Sequence, residues 1–309
     1  MPNVRSSTLM PRLLAAAIAL AAIALAAAGL GAAAADGPGA DGPAPSATRP
    51  AVLPRVASVG LCADHYVLAL ADPGQIVSLS REAVGPLSPH RDLAAAYPLN
   101  RGSAEELLLS GADVVVMRSW GAAATARMAE RFGIRVVRLG GGDRLADLPG
   151  NLRLVGDAIG RADAAEAMAE AAERAIVAVP PQRPGDPMAA YLGPAGGTAG
   201  PGTFVDDVLV AAGLGNLTGA LRRPGWGRID LETMVLNPPD LFVLSFFDTT
   251  RPSLTVALAR HAVFRQLAED MPMLAVPGAY WPCTSPHLVD AVAHLSGELD
   301  RAGFAVDGQ

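Results

Sequence analysis

The chain of 309 residues contains no lysine, so all 24 of its basic residues are arginine. Without an ammonium side chain, a Walker phosphate loop and a Schiff-base enzyme are both excluded. Aromatic residues make up only 5% of the chain, and the formal net charge is −6. Binding a polyanion needs a basic surface, and binding unpaired bases needs aromatic side chains for stacking. Nucleic acid is therefore not expected as a partner.

The N-terminal 35 residues have the pattern of a secretory signal peptide. Arg5 and Arg12 precede an uncharged run of Leu, Ile, Ala and Gly at positions 13–35, whose last residues, Ala33, Ala34 and Ala35, come directly before Asp36. The run is also long enough to span a bilayer, which takes roughly 20 residues, so an uncleaved anchor is the alternative. No cysteine ends the run, so a lipid-anchored lipoprotein is not indicated. The mature chain is expected to be exported.

The rest of the chain indicates a folded α/β protein after a short leader. Residues 36–54 are rich in Gly, Pro and Ala and predict a disordered leader. From Arg55 onward, β-branched runs alternate with helix-like stretches, which favours mostly parallel sheets. Strands are predicted at 55–60, 75–79, 114–117, 134–139 and 188–192, and a turn at 61–65.

The middle of the chain predicts a helical connection. Residues 147–179 are almost all helix formers, and Ala162–Val179 alone would form a helix about 27 Å long. A helix of this length in mid-chain is expected to act as a strut between two lobes. The predicted division is an N-terminal lobe at 55–146, a helical region at 147–180 and a C-terminal lobe at 181–309.

Two segments on either side of this strut resemble each other. Residues 103–117 align with residues 230–244, so that Glu105 matches Glu232 and Asp113 matches Asp240. Each segment has the pattern of a short helix with an acidic first turn, followed by a turn and a buried strand. The repeat predicts two similar lobes; the alternative is chance similarity between two generic units.

From Arg55 to Phe304 the chain resembles the substrate-binding proteins of ABC importers for cobalamin and ferric siderophores. The resemblance rests on the order and spacing of five segments, at 55–80, 103–117, 151–170, 202–217 and 229–245. It implies two α/β lobes with mostly parallel sheets, a long backbone helix joining them and a ligand cleft between them. It also implies a periplasmic protein that binds a ferric siderophore, a corrinoid or haem and delivers it to a permease dimer in the inner membrane. Neither catalysis nor a cofactor of its own is implied.

The resemblance also assigns a role to the paired glutamates. In that family a glutamate in each lobe docks onto arginines of the permease, and the matching residues here are Glu105 and Glu232. Two exposed carboxylates, one per lobe, would orient the protein more than they would hold it, since exposed ion pairs contribute only about 0–1 kcal/mol each. The alternative is that both are ordinary carboxylates of a first helical turn.

The candidate ligand residues follow the predicted strands, because ligands of open α/β sheets bind beyond the carboxyl ends of the strands. These candidates are Asp64, His65, Arg81, Arg118, Trp120, Tyr191, Trp226, Phe246, Tyr280 and Trp281. The aromatic side chains favour a flat, partly apolar ligand, and the arginines suit carboxylates or an anionic chelate. The ordinary alternatives are core or hinge packing for the aromatics and solvated loops for the arginines. The glycine-rich segment 193–203 is expected to be a flexible loop of the cleft.

The only two cysteines, Cys62 and Cys283, are expected at the cleft, one in each lobe. In an exported protein they form a disulfide between the lobes, stay free thiols or serve as transient ligands. Two other functions stay open. A bare transition metal would use His65, His90, His287 and Asp64, whereas a secreted Cys/His enzyme would use one of the cysteines as a nucleophile.

Overall fold

The computed structural model describes residues 52–177, 181–193, 196–245, 262–269 and 271–306. The predicted signal peptide, most of the predicted leader and Phe246 lie outside these residues. Pro54, the last residue of the predicted leader, is part of the folded chain, because its carbonyl accepts a hydrogen bond from Gln75 Nε2 at 2.9 Å. No helix among the described residues is long and apolar enough to cross a membrane.

The first lobe is a five-stranded parallel sheet with strand order β3-β2-β1-β4-β5. Its strands are β1 (Val56–Val59), β2 (Ile76–Ser80), β3 (Leu99–Asn100), β4 (Val114–Arg118) and β5 (Arg135–Leu139). Its helices are α1 (Leu61–Leu70), α2 (Arg91–Ala94), α3 (Ala104–Ser110) and α4 (Ala123–Arg131). The apolar side chains of β4 are buried on both faces of the sheet, which is typical of parallel strands covered by helices.

The prediction of a turn at residues 61–65 is wrong, because these residues begin α1. Gly60, with φ +88°, redirects the chain after β1, and the Glu82 carboxylate accepts the Leu61 N–H at 2.8 Å. This contact satisfies one of the free donors at the start of the helix. Most of α1 is buried, so its sequence lacks the polar face that reveals a surface helix.

The predicted helical region is a hairpin of two helices, α5 (Leu148–Ile159) and α6 (Ala162–Val177). Gly160 ends α5 in the left-handed conformation, with φ +73°. The helices approach closely where Gly156 faces Ala165, since a Cβ at position 156 would overlap with the Ala165 side chain. α5 packs on α1 of the first lobe, and α6 leads toward the second lobe.

The second lobe is built around a four-stranded parallel sheet with strand order β11-β10-β6-β8. Its strands are β6 (Met188–Leu192), β8 (Gly215–Asn216), β10 (Leu241–Ser245) and β11 (Met273–Val276). A small antiparallel sheet pairs β7 (Gly197–Ala199) with β9 (Trp226–Arg228). The described helices are α7 (Phe204–Ala211), α8 (Leu217–Ala220), α9 (Leu231–Leu236), α10 (Ala262–Glu269) and α11 (His287–Arg301).

The internal repeat has the same structure in both lobes. β4 lies beside the first strand of its lobe, β1, and β10 lies beside the first strand of its lobe, β6. The Arg55 N–H donates to Asp113 Oδ2 at 2.8 Å, and the Asp113 N–H donates back to the Arg55 carbonyl at 2.8 Å. Met188 and Asp240 make the same pair of bonds, at 2.7 and 2.8 Å. The matched aspartates therefore tie each repeat to its neighbouring strand.

The two sheets share one apolar core. Val114 and Val116 of β4 belong to the same cluster of buried side chains as Leu241 and Val243 of β10, together with residues of α1, α5, α7 and α11. The opposite faces of the sheets are covered separately, by α3 and α4 in the first lobe and by helices including α9 and α10 in the second. A continuous core between the sheets resists wide opening of the lobes.

Candidate functional site

A cavity of about 470 Å³ lies at the carboxyl ends of the strands of both lobes. Its volume falls in the range of small-molecule sites, roughly 300–1,000 Å³. The first lobe supplies the last residue of β4 and residues that follow β4 and β5. The second supplies residues of β6, α7, β9 and the segment after β11. The lining residues of this inter-lobe cavity are Arg118, Trp120, Gly142, Asp143, Tyr191, Phe204, Trp226, Trp281, Pro282 and Cys283.

All three tryptophans of the chain line the inter-lobe cavity. Trp120 of the first lobe and Trp226 of the second are 63% and 53% exposed, which is unusual for such large apolar side chains. Trp281 is buried and packs against Tyr191, with 5.5 Å between the ring centroids. Phe204 lies 5.2 Å from Trp226. Two exposed indoles, one on each lobe, offer flat apolar faces to a ligand.

The β7–β9 sheet places Trp226 at the cavity. The Gly200 N–H donates to the Gly225 carbonyl at 2.9 Å, and the Arg223 carbonyl lies so near Gly200 that a Cβ there would overlap with it. The prediction of a flexible loop at 193–203 is therefore wrong for its described part, which contains strand β7. Glycine allows this close approach of two backbone segments.

Arg118 is the cationic group of the inter-lobe cavity. Its guanidinium lies over the Trp120 ring, with Cζ 3.7 Å from the centroid, and it makes no salt bridge within the described part of the chain. Burial lowers the pKa of Arg118, while the charges of Asp143 and Glu82 act in the opposite direction. The group stays protonated at any physiological pH. Its free donors suit a carboxylate or another anionic group of a ligand.

The buried wall of the cavity includes the aromatic side chains of Trp281 and Tyr191. The indole Nε1–H of Trp281 is buried and has no acceptor among the described residues. Burial raises the pKa of Tyr191 to about 12. The phenol of Tyr191 is therefore protonated at neutral pH, and this wall of the cavity carries no charge.

A disulfide between Cys62 and Cys283 borders the inter-lobe cavity. Cys62 lies in α1 of the first lobe, whereas Cys283 lies between β11 and α11 of the second. The structure thus selects the bridged alternative for the two cysteines. Because both sulfurs are in the bridge, neither is a thiolate nucleophile, and the Cys/His enzyme alternative loses its nucleophile.

Further contacts join the lobes beside the disulfide. Thr284 Oγ1 donates to the Gly142 carbonyl at 2.8 Å, and Tyr66 Oη donates to the Thr284 carbonyl at 2.8 Å. Near the α5–α6 hairpin, Arg144 forms a two-pronged pair with Asp207, with Nη2 and Nε each within 3 Å of a carboxylate oxygen. The lobes are held together at several points around the cavity.

Several solved structures have a similar fold. A periplasmic haem-binding protein of Vibrio cholerae matches with a TM-score of 0.64 and 17% identity, over 79% of this chain and 98% of its own. A periplasmic vitamin B12-binding protein of the same species matches at 0.58 and 13%, over 82% and 99%. A protein of an ABC-type Fe³⁺-hydroxamate transport system from Saccharomonospora viridis matches at 0.57 and 16%, over 80% and 93%. No protein-family model and no curated protein sequence matches the chain.

The chain has the two-lobed fold of periplasmic binding proteins. This likeness confirms the fold expected from the sequence, with two α/β lobes of mostly parallel sheets and a helical connection between them. At 13–17% identity the likeness extends to the fold alone. The ligand must be inferred from the side chains of this chain.

The periplasmic binding fold places Asp64 away from the cavity. Its carboxylate is buried inside the first lobe, where the hydroxyls of Ser58 and Ser80 and the Ser80 N–H at 2.9 Å all donate to it. Burial raises the pKa of Asp64 to about 6, and the hydrogen bonds oppose this shift. Asp64 links α1 to β1 and β2, so its prediction as a ligand residue is corrected to a structural role.

His65 is also buried and is corrected in the same way. Its Nδ1 lies 3.1 Å from Ser285 Oγ across the lobe boundary, and burial lowers its pKa to about 3. Its ring lies 5.1 Å from that of His287, which in turn lies 4.8 Å from that of His90. Across the described ranges, no three His, Cys, Asp or Glu side chains are placed to hold a metal ion. The bare-metal alternative gains no support from this cluster.

Five of the other eight predicted ligand residues line the cavity, two do not, and one lies outside the described residues. Arg118, Trp120, Tyr191, Trp226 and Trp281 are brought together in the inter-lobe cavity. Arg81 is instead exposed in the short turn after β2, and Tyr280 stacks on His287, so neither belongs to the cavity lining. Phe246 lies outside the described residues.

Some lining residues are missed by the sequence reasoning. Gly142 and Asp143 follow β5, so the same rule that selected residues after the other strands would have found them. Phe204 is the first residue of α7 and Pro282 precedes the disulfide, and no local pattern marks either as a cavity residue.

Proposed function

We propose that the chain is the extracytoplasmic substrate-binding component of an ABC importer, located in the periplasm. In this role it binds a metal chelate, without chemistry of its own, and delivers the chelate to an inner-membrane permease. The observation that carries the proposal is the inter-lobe cavity, where Trp120 and Trp226 are exposed on opposite lobes and the guanidinium of Arg118 lies over the Trp120 ring. The periplasmic binding fold and its neighbours that bind haem, vitamin B12 or serve ferric hydroxamate transport support it.

The chemistry of the cavity favours a ligand that is flat or aromatic on one part and anionic on another. The exposed indoles would bind apolar faces, and the guanidinium of Arg118 would bind an anionic oxygen. Ferric siderophores, corrinoids and haem all combine apolar faces with acceptor or acidic groups. The ligand class is therefore a metal chelate recognised through its organic periphery.

We place the permease contact at Glu105 of α3 and Glu232 of α9. Both carboxylates are exposed, and neither forms a salt bridge or a side-chain hydrogen bond within the described part of the chain. They occupy matching positions of the two repeats. A partner with two equivalent basic sites would therefore meet one carboxylate from each lobe.

Ligand binding tests the proposal directly, because all three tryptophans line the cavity and their fluorescence reports occupancy. The chain from Asp36 is titrated with cyanocobalamin, haemin, ferrichrome and ferric enterobactin. We expect one of these compounds to quench the fluorescence with saturation. We further expect Arg118→Ala to weaken its binding by about tenfold to a hundredfold, the value of a charge-assisted hydrogen bond.

Arg81→Ala is the matched control, because Arg81 is an exposed arginine outside the cavity lining. It should bind the same compound as tightly as the wild-type chain. The proposal is contradicted if none of the four compounds binds, or if Arg118→Ala and Arg81→Ala behave alike.

A further inference from the structure

A pair of exposed leucines occupies matching positions in the two repeats. Leu109 of α3 is 81% exposed and Leu236 of α9 is 72% exposed. The alignment that places Glu105 on Glu232 also places Leu109 on Leu236. Each leucine follows its glutamate by four residues, so the two side chains lie on the same face of their helix. Each lobe thus presents a carboxylate and an isobutyl group side by side.

The other matched positions of the repeat have structural roles. Ser103 and Asp230 cap the two helices, accepting the backbone N–H groups of Glu106 and Thr233. Leu107 and Met234 are fully buried in the cores under their helices. Asp113 and Asp240 tie the repeats to the neighbouring strands.

The exposed pairs Glu105–Leu109 and Glu232–Leu236 have none of these structural roles. A single exposed leucine is ordinary, but the same exposed leucine at the same place in both lobes calls for a common cause. The alignment of the two repeats, whose strands β4 and β10 take equivalent places in their sheets, matches Glu105 and Leu109 with Glu232 and Leu236. A partner made of two identical subunits presents one receptor site twice and so matches both pairs.

We propose that Leu109 and Leu236 form the apolar half of the docking surface for the permease dimer, each inserting beside the cation that its glutamate meets. This inference rests on the proposed function and adds residues that the glutamate contacts do not include. Exposed ion pairs set orientation and encounter rate, whereas apolar burial supplies most of the affinity. The leucines are therefore the residues whose loss weakens the complex most.

The test uses the chain from Asp36 and the permease dimers of the same organism's metal-chelate importers, each reconstituted in lipid nanodiscs. Binding is measured by biolayer interferometry for wild type, Leu109→Ser, Leu236→Ser and the double variant. We expect about tenfold weaker binding for each single variant, with similar losses at both sites, and about a hundredfold for the double variant. Leu93→Ser is the matched control, since Leu93 is 51% exposed on α2 outside the repeat, and it should bind as the wild type does.

The outcomes separate this inference from the proposed function. Wild-type binding to none of the permeases contradicts the proposed function. Wild-type binding that the double variant retains within twofold contradicts the leucine contact alone. Cavity ligand titrations and melting curves should be the same for all the leucine variants, because the substituted side chains are exposed. A second copy of the chain is the competing occupant, and a dimer in sedimentation analysis that the double variant abolishes would overturn the assignment to the permease.

Discussion

Two neighbouring buried residues, Asp64 and His65, shift their pKa values in opposite directions for one reason. Burial favours the neutral form of both groups, so the pKa of Asp64 rises to about 6 and that of His65 falls to about 3. For His65 the folded pKa lies below the unfolded value, so its contribution to stability is present above about pH 6.5 and is lost as the pH falls toward 3. For Asp64 the folded pKa is raised, so acid favours the folded state between about pH 6 and 4.

His65 should therefore make the folded chain sensitive to acid. Below pH 6.5 the wild-type chain should lose up to about 1.4 kcal/mol of unfolding free energy per pH unit through His65, the limit for one titrating group. We expect His65→Gln to lack this contribution to the slope. The free energy of unfolding is measured by urea titration with circular dichroism between pH 7.5 and 4.5, and the slopes of the two proteins are compared. His294→Gln is the matched substitution, made at a partly exposed histidine of α11. Parallel pH profiles for wild type and His65→Gln would contradict the expected role of His65.

Asp64 and His65 also show why the sequence alone did not predict every site residue correctly. Residues at or just after the end of a strand are good candidates for a ligand site, and Arg118 and Trp120, which were selected in this way, line the inter-lobe cavity. Asp64 and His65 depart from it because their partners, Ser80 and Ser285, are distant in sequence. A buried polar residue with a distant partner cannot be told from an exposed one by its neighbours in the chain.

At the scale of elements, the α5–α6 hairpin depends on one small residue. From the sequence, Gly156 and Gly160 only interrupt a helical region, whereas the structure gives them separate roles. Gly160 ends α5 with a positive φ, and Gly156 allows the two helices to touch at Ala165. The alternation of strands and helices was predictable because it rests on local periodicity, but the close helix contact depends on tertiary packing.

Gly156→Ala should therefore separate the helices and destabilise the chain. We expect a loss of about 1–3 kcal/mol, the usual cost of overpacking, despite the better helix propensity of alanine. Gly150→Ala is the matched control on the same helix, because a Cβ there meets no atom within 4 Å. The control should be neutral or more stable by up to about 1 kcal/mol in urea unfolding. Equal stability of the two variants would show that the helices adjust without cost.

Across the whole molecule, several kinds of contact join the two lobes. They share a continuous apolar core, the Cys62–Cys283 disulfide and hydrogen bonds such as Thr284 to Gly142. The sequence indicated two lobes through the repeat, and it placed one cysteine in each. The sequence did not decide whether the two cysteines form a disulfide, because the pairing of cysteines 221 residues apart depends on the fold and not on their spacing.

Because several contacts join the lobes, the disulfide should add stability without setting the shape of the cavity. We expect the Cys62→Ser, Cys283→Ser double variant to lose about 2–5 kcal/mol of unfolding free energy, since it removes a long loop closure. Its radius of gyration in X-ray scattering should equal that of the wild type. A reductant should lower the stability of the wild type toward that of the variant and leave the variant unchanged, because the chain has no other cysteine. A larger radius of gyration in the variant would mean that the disulfide alone keeps the cavity closed, and the shared core would then be too weak to join the lobes.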